Sequence, residues 1–174
     1  MAGFITGVML LYMCSTLDHS LDISARVNRV LKKMDHFMIF ILIAGSYTPL
    51  CMVTLRDSVG PLVCLIVWSI AAVGILIRAC WITCPRWFSS IIYIGMGWVC
   101  LMGFPEILNA LSPAAFGWRL SGGIIYPVGG IISALKLPIF NSRHKNFGSH
   151  EIFHLFVMAG SLCHYIVMYS FVAA

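Results

Sequence analysis

Apolar residues fall in six blocks along the chain, at about 1–17, 37–54, 61–79, 88–104, 120–137 and 152–173. Each approaches or reaches the ~20 residues that an α-helix needs to cross a bilayer. Short polar connections separate the blocks, with turn residues such as Arg56-Asp57-Ser58-Val59-Gly60-Pro61. Internal repeats and low-complexity linkers are absent. The pattern predicts an all-α fold, a single polytopic transmembrane helix bundle of six spans over residues 1–174. One stretch has a different period. In 22–34, Ile23, Val27, Val30, Leu31 and Met34 share one helical face, and Ser24, Arg26, Asn28, Arg29, Lys32 and Lys33 take the other. This predicts a short amphipathic helix on the membrane surface, capped by Asp22, with its cations toward anionic headgroups. An ordinary loop helix packed on the bundle is the alternative.

Composition agrees with a lipid solvent. Of 174 residues, 60% are hydrophobic and 10% charged, against about a quarter charged in soluble domains. The net charge of +5 is spread over short loops, without the basic stripe and interleaved aromatics of a nucleic-acid surface. The seven cysteines lie mostly inside apolar runs at irregular spacing, which is not a disulfide framework. Residues 1–17 lack a basic leader and end in Ser15-Thr16-Leu17-Asp18-His19, so they predict a short span rather than a cleaved signal.

The cations orient the bundle. With alternating spans, Arg26, Arg29, Lys32, Lys33, Arg78, Arg86, Lys136, Arg143 and Lys145 fall on one side, and only Arg56 and Arg119 on the other. The richer side is expected to be cytoplasmic. Trp81 and Trp87 then belong to the inner interface and Trp118 to the outer one.

That orientation brings three polar groups to one depth. Ser15 and His19 are a helical turn apart at the end of the first span, Asp35-His36 opens the second, and His150-Glu151-Ile152-Phe153-His154 opens the last. Ionisable residues at membrane depth call for a partner or a role. Histidines at i and i+4 project from one helix face about 6 Å apart along the axis, a spacing that chelates metal. His19, His150 and His154 would offer three neutral nitrogens to zinc and leave a fourth position for water. Asp35 is the candidate base or water-orienting carboxylate, and Ser15 a hydrogen-bond donor to an oxyanion. Taken singly, His19 reads as an interfacial polar residue, Asp35 as a helix cap and Ser15 as a small packing residue. The convergence at one depth favours the metal. His36, His144 and His164 lie off the cluster, and Cys80 and Cys84 read as packing residues.

Several strings resemble the bacterial hemolysin III family, which is related to the progestin and adipoQ receptors and more distantly to alkaline ceramidases. They are Cys14-Ser15-Thr16-Leu17-Asp18-His19, Leu31-Lys32-Lys33-Met34-Asp35-His36 and Ala44-Gly45-Ser46-Tyr47-Thr48-Pro49. Two more are Gly122-Gly123-Ile124-Ile125-Tyr126-Pro127-Val128-Gly129-Gly130 and His150-Glu151-Ile152-Phe153-His154-Leu155-Phe156-Val157. The resemblance implies a zinc ion near the cytoplasmic face of a bacterial plasma (inner) membrane, surrounded by Ser15, His19, Asp35, His150 and His154. It also implies seven spans with the N-terminus inside, so the six seen here correspond to the family bundle without its first span.

The leading expectation is a zinc-dependent hydrolase of a membrane-lipid amide or ester, linked to membrane-lipid homeostasis. A lipid-state sensor with structural zinc is the second, and a pore-forming cytolysin the third. The pore ranks lowest because the polar groups gather at one end instead of lining a path. A metalloprotease reading of His150-Glu151-Ile152-Phe153-His154, with Glu151 as base, lacks a following acidic ligand motif. Membrane lipids are the expected partners.

Overall fold

The computed structural model describes the backbone of residues 2–81, 86–135 and 149–172. Within these it describes all side chains except those of 2, 86, 87, 110, 133, 134, 149–151 and 172. Lys136, Arg143, His144, Lys145 and Cys84, named above, lie outside the described residues, as do the side chains of Arg86, Trp87, His150 and Glu151.

Among the described residues the fold is all-α. Helix α1 spans Ala2–Ser20. Helix α2 spans Ala25–Pro49 and continues as a π-helical turn over Leu50–Thr54. Helix α3 is Gly60–Cys80. Helix α4, Arg86–Trp98, tightens to a 3₁₀ turn over Val99–Gly103 and leads into α5, Phe104–Ala110. Helix α6 is Pro113–Leu135, and α7 is Ser149–Val167, extended by a π-helical turn at Met168–Val172. Among the described residues four segments are long and apolar enough to cross a membrane: Ala25–Thr54, Gly60–Cys80, Phe88–Asn109 and Ile152–Phe171. Helix α1 has 19 residues and α6 has 23. The chain forms two compact units, 1–106 and 107–174.

In the first unit the buried core comprises Phe40, Ala44, Tyr47, Cys51, Val63, Cys64, Val67, Ala71 and Met96. Phe40 packs its ring on Tyr93 with centroids 4.6 Å apart. The Tyr47 hydroxyl donates to Gly97 O at 2.6 Å, with Met96 O at 3.0 Å, and accepts from Cys100 N at 3.1 Å. It thereby serves the backbone groups that α4 leaves unpaired where it tightens. Pro49 lacks the N–H that would continue the α pattern, and the wider π turn follows directly. Gly60 closes the next turn because a Cβ there would collide with the carbonyls of Cys51 and Leu55.

Helix α2 begins at Ala25 rather than near residue 37, so the amphipathic stretch is the first part of a continuous helix. Its cap is Ser24, whose hydroxyl accepts from Val27 N at 3.3 Å. Asp22 instead accepts from Asn28 Nδ2 at 2.6 Å, and Asn28 Oδ1 accepts from Ile23 N at 3.3 Å. Nothing between 25 and 48 breaks a helix, and Lys33 Nζ ties the segment to Ala79 O at 3.2 Å.

In the second unit α6 and α7 lie against each other through glycines. A Cβ on Gly122 would come within 3.0 Å of His164 Nε2, one on Gly160 within 3.0 Å of the Tyr126 ring, and one on Gly129 within 2.5 Å of Phe156. Small residues at such contacts let helix backbones approach in lipid, where no hydrophobic force drives them together. Helix α6 starts with Pro113 after Ser112, whose hydroxyl accepts from Ala115 N at 3.3 Å. Arg119, expected in an outer loop, therefore lies inside α6.

Candidate functional site

Helices α1 and α2 run antiparallel with close backbones. A Cβ on Gly45 would lie 3.1 Å from Gly3 O, and one on Gly7 3.4 Å from Leu42 Cα. Carrying that register along the pair puts Cys14 opposite Asp35, and the two side chains are within electrostatic reach. Ser15 follows Cys14. Ser15 and Asp35 are each only 8% exposed, among the few buried polar side chains of the described residues. Burying a carboxylate in an apolar helix pair is costly unless it is compensated. His19, one turn beyond Ser15 on α1, is exposed.

His150 and His154 both lie on the continuous helix α7, so their i, i+4 spacing is realised in the backbone. The His154 ring is half-buried and tilts at 55° to Phe153, with centroids 5.7 Å apart. Three of the five expected site residues (Ser15, His19 and Asp35) therefore belong to the first unit, and His150 and His154 to the second. Among the described residues no group of three or more His, Cys, Asp or Glu side chains comes together as a metal cage; the His150 side chain is not one of these residues.

Two polar features escaped the sequence reading. His36 Nδ1 contacts Lys32 O at 2.7 Å, and a carbonyl can only accept, so Nδ1 carries a proton. Tyr93 OH donates to His36 O at 3.1 Å. In the second unit His164 is 7% exposed and stacks on Tyr126 with centroids 5.5 Å apart. Tyr126 OH bonds Ser161 Oγ at 2.8 Å, and Arg119 Nη1 lies 3.4 Å from His164 Nδ1. The sequence did carry a signal. Residues 157, 161 and 164 share the buried face of α7, and two of the three are polar.

Comparison with known proteins places these helices in a family. A family model described as Haemolysin-III related matches residues 1–165. Hemolysin-3 of Bacillus cereus is 35% identical over 154 residues, covering 88% of this chain and 66% of its own length. The Hemolysin-3 homolog of Bacillus subtilis (strain 168) is 34% identical over 158 residues, covering 91% and 70%. The Adiponectin receptor protein of Drosophila melanogaster is 26% identical over 178 residues, covering 94% and 40%. The chain thus spans about two thirds of the length of the Bacillus relatives. No solved structure matches. The family model over 1–165 and the Bacillus identities bear out the resemblance carried by the five motifs: the chain belongs to the haemolysin-III related family of integral membrane proteins.

Proposed function

We propose that the chain acts as a zinc-dependent hydrolase of membrane-lipid amides or esters, in a bacterial plasma membrane with its basic end in the cytoplasm, and serves membrane-lipid homeostasis. The observation that carries this reading is the pair of buried polar side chains, Ser15 and Asp35, on the closely packed helices α1 and α2. His19, His150 and His154 are the residues that would hold the metal, since three neutral imidazoles suit zinc and leave a position open. When bound, zinc supplies a Lewis acid and makes water a nucleophile at neutral pH. Asp35 takes up the proton released as the carbonyl is attacked and returns it to the leaving amine or alcohol. Ser15 donates a hydrogen bond to the oxyanion that forms.

Elemental analysis and turnover test this together. The purified chain should carry zinc and release fatty acid slowly from a ceramide-like lipid. His150→Ala/His154→Ala should remove the metal, and His164→Ala should keep it. Asp35→Asn should keep the metal and lower turnover by about 10²–10⁴-fold. Loss of zinc from Asp35→Asn would make Asp35 a ligand and end this division of roles.

A sensor or receptor role with structural zinc is the second reading, supported by relatives named Adiponectin receptor protein and ADIPOR-like receptor IZH2. It takes first place if the zinc-loaded protein turns over no lipid amide or ester. The name Hemolysin-3 speaks for cytolysis, and leakage of dye from vesicles carrying the purified protein tests it.

A further inference from the structure

The first unit has a basic corner that the hydrolase reading does not use. Arg26, Arg29, Lys32 and Lys33 occupy the first turns of α2, and Arg78 the last turn of α3. The turn that joins the other ends of these helices holds Arg56 and Asp57, one charge of each sign. Lys33 Nζ donates to Ala79 O, so the basic turns of α2 stand beside the end of α3. Arg78 is the residue before Ala79, and both it and Lys32 are close enough to act electrostatically on the His36 ring. Arg29 is one helical turn before Lys32 on the same face, its Nε held by Ala25 O at 3.1 Å. Arg29 and Lys32 are exposed.

Length places this corner at the membrane surface. Helix α2 with its π turn runs for 30 residues, about 45 Å at 1.5 Å per residue, against a hydrocarbon core of about 30 Å. About ten residues are left over, which is the extent of the basic turns. On those same turns Val30 is 52% exposed and Met34 39%. Cations beside bare apolar side chains suit the boundary between headgroups and acyl chains.

We propose that Arg29, Lys32 and Arg78 form a binding site for the phosphate of an anionic phospholipid, with Val30 and Met34 against its acyl chains. Such a lipid would fix the depth of α2, and with it the depth of Asp35 one residue beyond Met34.

Native mass spectrometry of the whole chain, released from micelles of phosphatidylcholine doped with phosphatidylglycerol, tests the site. Phosphatidylglycerol should be retained in preference to phosphatidylcholine. Arg29→Gln, Lys32→Gln and Arg78→Gln should each weaken retention about fivefold, and Arg56→Gln should leave it unchanged. Equal retention of both lipids, or full retention by the Arg29→Gln/Lys32→Gln variant, overturns the proposal. Displacement by an equal concentration of inorganic phosphate assigns the cations to a soluble anion and overturns it too. Rising salt should weaken retention by the unaltered protein, which needs no variant to fold; retention that ignores salt also counts against the site.

Discussion

The two units solve the same problem by different means. The first has four long helices, enough to enclose side chains, and it buries Phe40, Leu50, Val67 and Met96 almost completely. The second consists mainly of α6 and α7; it buries Val167 and Met168 as completely, but the described contacts between its two helices are glycines against rings and hydrogen bonds between side chains. In lipid this difference has an energetic reason. Apolar burial between helices gains little when the alternative is an acyl chain, so a helix pair depends on close approach and polar bonds. Enclosure by more helices adds the dispersion contacts of a dense core.

Site-resolved hydrogen exchange can break this comparison. Phe40→Ala should have the largest effect, about 3–5 kcal/mol for emptying an aromatic core site. Exchange should rise within residues 2–106 more than within 107–174. If both units loosen equally, the division is wrong. Gly160→Leu should do the reverse, because its side chain must displace the Tyr126 ring. Overpacking of this kind costs about 1–3 kcal/mol, read as faster exchange in α6 and α7 with the first unit protected.

Single hydroxyls sharpen the contrast further. Tyr126→Phe deletes the bond to Ser161 and should cost about 1 kcal/mol in thermal unfolding in detergent. Tyr47→Phe also leaves Cys100 N without its acceptor and should cost somewhat more. Similar losses at the two tyrosines would erase the distinction between a stitched core and a bonded pair. The smallest effect is on one proton. An arginine can only donate, so His164 Nδ1 must accept and the ring carries its proton on Nε2. Nitrogen NMR of labelled protein should show that tautomer, and a protonated Nδ1 would contradict the Arg119 contact.

Most of the architecture was legible because lipid makes a coarse demand. Long apolar runs must be helical, and the helices appear at the blocks read from the pattern. Helix ends were harder. Arg26 to Lys33 looks like a surface segment by composition, yet no residue there interrupts a helix, so α2 runs through it. Trp118 and Arg119 resemble a loop, but Pro113 starts the helix before them. Ser15 and Asp35, conspicuous in the sequence as polar residues of an apolar chain, are both buried. The Arg119–His164 contact was not foreseen. It joins residues 45 apart, each of which alone resembles an ordinary interfacial or packing residue.

The close backbone contacts within each helix pair, α1 on α2 and α6 on α7, bear on how these segments enter a membrane. A helix in lipid gains from a neighbour that offers such contacts, so the two members of each pair are expected to settle together as a hairpin. In vesicles, a released fragment ending at residue 24 should leave Cys14 accessible to a soluble thiol reagent, and one ending past residue 54 should bury it against α2 and protect it.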